Sequence, residues 1–240
     1  MNVLAIGNSF SHDATRYLHG LAKSCGCDIK TVNLFIGGCS LKTHYYNILD
    51  DKRNYAFMFN GDNTGIAVSV KEALCSDDWD YITLQQASRL SPDYETYQPY
   101  LDVLAAYVRK YCPHSKLMIH QTWAYEADSV PLNEWVDYNN PTDMFRDIKK
   151  SYEKAAKAIE ADGIIPCGEV MSKMLELGIK TVHRDGFHAD LGAGRFALAL
   201  TWFTVLAGGD PDNVPFNEFD VPVSDEDIAI AKQAVKEICL

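Results

Sequence analysis

No apolar run in this sequence approaches the roughly 20 residues that a membrane-spanning helix needs. The chain begins with Met1-Asn2 and enters the apolar stretch Val3-Leu4-Ala5-Ile6 at once. It therefore lacks the basic region, the apolar segment and the small-residue cleavage site of a signal peptide. We predict no membrane partner, and a cytoplasmic location for the chain as written, or secretion if a signal peptide has been removed from it.

Positive charge is also scarce. The sequence has 22 Lys and Arg against 33 Asp and Glu, which gives a formal net charge of -11. The field of such a protein repels phosphate backbones and anionic headgroups. We therefore expect no nucleic-acid partner, and we expect polyanionic substrates to be disfavoured.

Metal and phosphate motifs are missing as well. The seven cysteines are odd in number and lack the spacing of metal ligands, so we interpret them as buried thiols. Neither Gly-x-Gly-x-x-Gly nor Gly-x-x-x-x-Gly-Lys occurs, which disfavours a nucleotide- or phosphate-binding module without excluding it.

What the sequence does contain is an alternation of short apolar runs with helical patterns, which is typical of βα units around a mostly parallel sheet. With 240 residues and 47% hydrophobic residues, a single α/β domain over residues 1–240 is the expectation. Five strands are predicted, at residues 3–6, 29–36, 81–84, 116–120 and 163–166.

Two segments interrupt this alternation. Residues from about 42 to 78 contain the alternating run Tyr55-Ala56-Phe57-Met58-Phe59 followed by Asn60-Gly61, which predicts an inserted hairpin. Residues 123–140 are rich in aromatic and acidic residues without a period, which is typical of an active-site loop.

A serine follows the first predicted strand, in Gly7-Asn8-Ser9-Phe10-Ser11. Ligands bind at this edge of an open α/β sheet, and the next helix directs unpaired N–H groups towards it. Ser9 is therefore a candidate nucleophile. The alternative is that Ser9 only caps the helix.

A candidate base lies near the other end of the chain, where Asp185 and His188 are three residues apart just before an apolar helix. A serine nucleophile needs a base, and the base needs a partner that fixes its tautomer. An isolated Asp-x-x-His is more often a solvated turn. Its combination with Ser9 favours a catalytic role for all three residues.

These two blocks resemble those of the SGNH, or GDSL-like, hydrolase superfamily, and the resemblance spans nearly the whole sequence. The chain is similar to a little-characterised esterase branch of it. The resemblance implies a flavodoxin-like, three-layer α/β/α fold, with the five-stranded sheet and the inserted hairpin predicted above. It also implies ester hydrolysis by Ser9, with His188 as base and Asp185 as its orienting partner.

The resemblance further implies an oxyanion hole made by the N–H of Ser9, the N–H of a glycine after the second strand and a side-chain amide after the third. Gly38 matches the glycine. Where many members carry Gly-x-Asn-Asp, this chain has Leu84-Gln85-Gln86-Ala87-Ser88-Arg89. Gln86 is the expected amide donor, with Gln85 as the second choice and a candidate for substrate binding.

Other candidates carry less weight. Cys39, beside Gly38, is an alternative nucleophile, although a thiol at such a position is more often packed in the core. Trp123 and Tyr125, with Trp135 and Tyr138, either anchor their loop or line a pocket for a sugar or aryl group.

The sequence thus predicts a serine esterase or deacetylase that removes a small acyl group from a small-molecule or carbohydrate ester and needs no metal or organic cofactor. The alternatives are a nucleotide- or phosphate-binding flavodoxin-like module and a catalytically silent sugar-binding relative.

Overall fold

Short runs of buried aliphatic residues form the strands at the centre of the molecule. In the computed structural model, which describes residues 1–240, seven strands make one sheet in the order β4-β3-β2-β1-β5-β6-β7. The strands are β1 (Asn2–Gly7), β2 (Lys30–Phe35), β3 (Tyr55–Phe59), β4 (Asp62–Val68), β5 (Tyr81–Leu84), β6 (Lys116–His120) and β7 (Gly163–Ile165).

The sheet is mixed and has seven strands, which corrects the prediction of five. The five predicted strands are β1, β2, β5, β6 and β7, and they pair in parallel. The predicted hairpin is also present as β3 and β4, but it joins the same sheet because β3 pairs antiparallel to β2. The outer edge of β2 would otherwise present unpaired N–H and C=O groups.

Nine α-helices connect and cover the strands. They are α1 (Ser9–Thr15), α2 (Leu18–Ser24), α3 (Leu41–Leu49), α4 (Val70–Leu74), α5 (Tyr100–Tyr111), α6 (Pro141–Ala158), α7 (Cys167–Glu176), α8 (Ala193–Ala207) and α9 (Asp225–Cys239). One group of helices, α1, α2, α7, α8 and α9, packs together, and α3, α4 and α5 form a second group. This grouping is consistent with a three-layer α/β/α arrangement. None of the helices has both the length and the apolar character needed to cross a membrane.

Helix α8 is the most deeply buried of these helices, with 13 of its 15 residues buried. A helix that is apolar on all sides packs on all sides. It ends at Gly208, whose φ of 67° lies in the left-handed region that glycine adopts easily. Because α8 directly follows the Asp185–His188 segment, its packing fixes one end of that segment.

All seven cysteines are free thiols, as predicted, but not all are buried. Cys39, Cys112 and Cys167 are buried, whereas Cys27 and Cys75 are exposed. The exposed pair lies just after α2 and α4, at helix ends that the sequence pattern did not distinguish from the core.

Candidate active site

Ser9 is the first residue of α1 and follows β1 at the carboxyl edge of the sheet. The cap of this helix is Asn8, whose side-chain oxygen accepts a hydrogen bond of 2.9 Å from the N–H of Phe10. Ser11 completes the cap, since its hydroxyl oxygen lies 3.0 Å from the backbone N–H of Asn8. The helix is therefore capped without Ser9, which removes the reason for the alternative interpretation of that serine.

The hydroxyl of Ser9 instead contacts a histidine from the far end of the chain. Nε2 of His188 lies 2.8 Å from Oγ of Ser9, and Nδ1 of His188 lies 2.7 Å from Oδ2 of Asp185. The other carboxylate oxygen of Asp185 accepts the backbone N–H of His188 at 2.9 Å. The structure thus brings the three predicted residues into one hydrogen-bonded chain.

Asp185 is held as a carboxylate in this arrangement. Partial burial on its own would raise the pKa of Asp185, but hydrogen bonds from the ring and the backbone N–H of His188 outweigh it and hold the pKa below its ordinary value. An ionised Asp185 keeps a proton on Nδ1 of His188 and leaves Nε2 free to accept one from Ser9.

The backbone of the histidine segment is held by a buried carboxylate that the sequence analysis missed. Asp13 lies on α1, four residues after Ser9, and is fully buried. Its carboxylate oxygens accept hydrogen bonds from Arg184 at 2.9 and 3.1 Å, from Arg195 at 2.9 Å and from the N–H of Ala189 at 3.2 Å. Asp13 therefore joins the helix of the serine to both sides of His188. The only sequence signal for it was an acid at helical spacing from Ser9.

Ser9 and His188 open into a cavity of about 720 Å³. Its lining includes Gly37 and Gly38 and five aromatic residues. The aromatic residues are Phe10, Phe35, Tyr125, Trp135 and Phe187. A slightly larger cleft of about 850 Å³ lies at the opposite edge, around the amino ends of β1, β5 and β6. The smaller cavity is the candidate site because it alone contains the Ser9–His188 pair and lies at the edge where α/β sheets bind ligands.

The two residues expected to supply backbone N–H groups to an oxyanion, Ser9 and Gly38, both line this cavity. As the first residue of α1, Ser9 has no acceptor for its N–H within the helix. Gly38 lines the cavity in a left-handed conformation, with a φ of 62°. Asn8 links the turn after β1 to the turn after β2, because its side-chain nitrogen donates to the carbonyl oxygen of Cys39 at 3.0 Å.

Gln86 does not reach this cavity, contrary to the expectation that its amide would serve the oxyanion. Its side chain is fully buried, and its nitrogen donates to the carbonyl and hydroxyl oxygens of Thr96 at 3.0 and 3.2 Å. Its oxygen accepts the N–H groups of Leu41 and Ala87. The amide holds together three loops and has no N–H left to donate.

Gln85 is also buried and lies behind the serine turn. Its nitrogen donates to Asn8 at 2.8 Å and its oxygen lies 2.8 Å from Nδ1 of His120. Burial lowers the pKa of His120 to about 3, so this histidine is neutral. Gln85 thus supports Asn8 and does not line the cavity, which corrects the expectation that it would contact substrate.

The two aromatic candidates have different positions. Tyr125 lines the cavity, and its hydroxyl lies 2.8 Å from that of Ser88. Trp123 lies outside the cavity, where it stacks on Phe10 with 4.2 Å between ring centroids and donates to the carbonyl oxygen of Phe187 at 2.8 Å. The expectation of a substrate contact is wrong for Trp123, which instead supports two residues of the cavity wall. Phe187 and Arg89 line the cavity but were not predicted.

Cys39 is a poor alternative nucleophile in this structure. Burial raises the pKa of its thiol to about 12, so almost no thiolate exists at neutral pH. Its sulfur lies 3.5 Å from Nδ1 of His44 and outside the cavity. No group of three or more His, Cys, Asp or Glu side chains is arranged to hold a metal ion.

A family model for a domain of unknown function, DUF4886, matches residues 2–238. The chain belongs to the DUF4886 family. A crystal structure of a DUF4886 family protein from Bacteroides uniformis ATCC 8492 is 33% identical, with a TM-score of 0.88 over 99% of this chain and 93% of that one. No curated protein matches the chain.

More distant solved structures share the fold of this DUF4886 member. A protein from Slackia heliotrinireducens, provisionally described as an SGNH hydrolase, is 21% identical with a TM-score of 0.60 over 84% of this chain and 96% of that one. An acetylxylan esterase from Geobacillus stearothermophilus is 12% identical, with a TM-score of 0.56 over 84% of this chain and 92% of that one. The chain therefore has an SGNH-like α/β fold.

Proposed function

We propose that this DUF4886 protein is a serine esterase of the SGNH type that hydrolyses small acyl esters. The observation that carries the proposal is the unbroken chain of hydrogen bonds from Asp185 through His188 to Ser9, at the wall of a cavity large enough for a small ester. The SGNH-like fold of the chain supports it.

In the proposed reaction, Oγ of Ser9 attacks the ester carbonyl carbon while its proton passes to Nε2 of His188. The carbonyl oxygen takes up the negative charge and accepts hydrogen bonds from the N–H groups of Ser9 and Gly38. When the intermediate collapses, the alcohol oxygen leaves with the proton from His188, and the acyl group remains on Ser9.

A water molecule then completes the cycle. It attacks the acyl carbon and gives one proton to His188, and the released Oγ of Ser9 recovers that proton as the carboxylic acid departs. Asp185 stays ionised throughout and stabilises the protonated ring in both transition states. This sequence of steps requires no group beyond the side chains and N–H groups already described.

We further propose that the acyl group is small and that its carrier is a carbohydrate or a molecule of similar size. The aromatic rings of Tyr125, Trp135 and Phe187 support this, because flat amphipathic rings are suited to stacking on sugars. A structural neighbour is named as an acetylxylan esterase, which is in keeping with a carbohydrate ester.

The test is hydrolysis of 4-nitrophenyl acetate, followed by release of acetate from a panel of acetylated sugars. We expect turnover by the unaltered protein and none above background by Ser9→Ala. A protein that binds sugars without hydrolysing any ester would contradict the proposal and favour a catalytically silent relative. Binding of nucleotides without hydrolysis would favour a phosphate-binding module.

A further inference from the structure

Arg89 differs from every other arginine of the chain because it has no partner. Five arginines pair with carboxylates, and one donates to two backbone carbonyl oxygens. The arginines that pair with carboxylates are Arg16, Arg53, Arg146, Arg184 and Arg195. The arginine that donates to the two carbonyl oxygens is Arg109. Arg89 makes neither a hydrogen bond nor an ion pair, although the chain has a net charge of -11 and acidic side chains are abundant.

Arg89 lies in the candidate active site. The residue belongs to a short helical turn, Ser88–Leu90, that follows β5, and it lines the same cavity as Ser9, Gly38 and His188. No aspartate or glutamate lines this cavity. Arg89 is therefore an exposed cation with no acidic partner within the cavity.

We propose that Arg89 makes the cavity selective for esters whose alcohol part carries a carboxylate. A guanidinium presents two parallel N–H donors that match the two oxygens of a carboxylate. Arg89 is exposed whereas Ser9 is half-buried, so a carboxylate bound by Arg89 lies towards the opening of the cavity, on the larger part of the ester. The inference rests on the proposed esterase function, and it names the substrate class of that same site.

The negative charge of the whole protein does not oppose this selectivity. Charges separated by more than a Debye length, about 8 Å at physiological ionic strength, are largely screened. A direct ion pair with Arg89 acts over a much shorter distance. The net charge disfavours long polyanions, which extend beyond the cavity, more than a substrate with one carboxylate.

The experiment compares two esters that differ at a single group, O-acetylmandelate with its carboxylate and O-acetylmandelamide with a neutral carboxamide. Both offer an aromatic ring to the cavity wall. We expect the unaltered protein to hydrolyse the mandelate ester with kcat/KM about two- to fivefold higher, as an ion pair with an exposed arginine implies. In Arg89→Gln this preference should disappear, because the variant loses more kcat/KM on the mandelate ester than on the amide.

Arg53→Gln is the matched control, since it removes the same charge from an exposed arginine that pairs with Glu72 away from the cavity. It should keep the preference. Equal rates for both esters with the unaltered protein would overturn the proposal, as would equal losses on both esters in Arg89→Gln.

Failure of the esterase function itself would show as no turnover of either ester or of 4-nitrophenyl acetate. The role of Arg89 is then tested by calorimetric binding of mandelate to Ser9→Ala. Binding that disappears in Ser9→Ala/Arg89→Gln supports the anion site independently of hydrolysis. No binding, or binding that does not depend on Arg89, overturns it.

Discussion

The serine side and the histidine side of the candidate site are held in place by different kinds of contact. On the serine side, Asn8 and Ser11 fix the turn through hydrogen bonds within three residues of each other. On the histidine side, the segment is fixed by Asp13 through bonds that span more than 170 residues of sequence. The serine side is held by local contacts, so it can be recognised from a few adjacent residues of the sequence. The histidine side depends on contacts between residues that only the complete fold brings together.

The largest effect is expected on the serine side, from a comparison of two adjacent residues. Ser9→Ala should lower kcat for 4-nitrophenyl acetate by about three orders of magnitude or more, with an unchanged melting temperature, because Asn8 provides the cap. Asn8→Ala should reduce the free energy of unfolding by about 0.5–2 kcal/mol and have a smaller effect on kcat. Thermal unfolding and steady-state kinetics on both variants test this. If Ser9→Ala were the variant that unfolds more easily, the serine would be structural.

On the histidine side, two aspartates on either side of His188 provide the matching comparison. Asp185→Asn should lower kcat by about 10²–10⁴, since the amide would no longer favour the productive tautomer of His188. Asp190 only accepts N–H groups of Gly192 and Gly194 at the start of α8. Asp190→Asn should therefore keep kcat and change stability by less than about 1 kcal/mol, because the asparagine oxygen can accept the same N–H groups. The reverse pattern, measured with the same ester, would mean that another residue orients His188.

Asp13→Asn tests the long-range connection between the two sides. Breaking a buried ion pair by removing one partner costs about 3–5 kcal/mol, since Arg184 and Arg195 would lose their shared carboxylate. We expect a lower unfolding midpoint in urea together with a loss of kcat at temperatures where the variant is still folded. A stable variant with full activity would show that the ion pairs do not position His188.

The smallest effect on kcat is expected from Gln86→Ala. Because the amide of Gln86 holds Thr96 and Leu41 and does not enter the cavity, the variant should lose about 1–3 kcal/mol of stability. Its kcat should fall by less than about tenfold, instead of the 10²–10³ expected for an oxyanion donor. Steady-state kinetics measured well below the melting temperature of the variant decide between a structural role and an oxyanion-donor role for Gln86.

The sequence was sufficient for features that depend on neighbouring residues. The five parallel strands follow from short apolar runs, and the hairpin of β3 and β4 follows from the alternating run before Asn60-Gly61. Ser9 and the Asp185–His188 pair were predicted in the same way, each from a few adjacent residues and a resemblance.

Features that depend on distant contacts could not be predicted. The pairing of β3 with β2 made a seven-stranded sheet from what was predicted as five strands and a separate hairpin. The direction of the two glutamine side chains after β5 depends on partners far away in the sequence, at Thr96 and His120. The lack of a partner for Arg89 could not be predicted either, because it depends on which side chains the fold places around its guanidinium group.

The central claim, that Ser9 is the nucleophile, is tested most directly by labelling with a fluorophosphonate and mass spectrometry of the resulting peptides. Ser88 lines the same cavity and serves as an internal comparison, but its hydroxyl is paired with that of Tyr125 and no base adjoins it. We expect one adduct per chain, on Ser9, and a much slower reaction in Asp185→Asn. An adduct on Ser88 or on any other serine would contradict that claim.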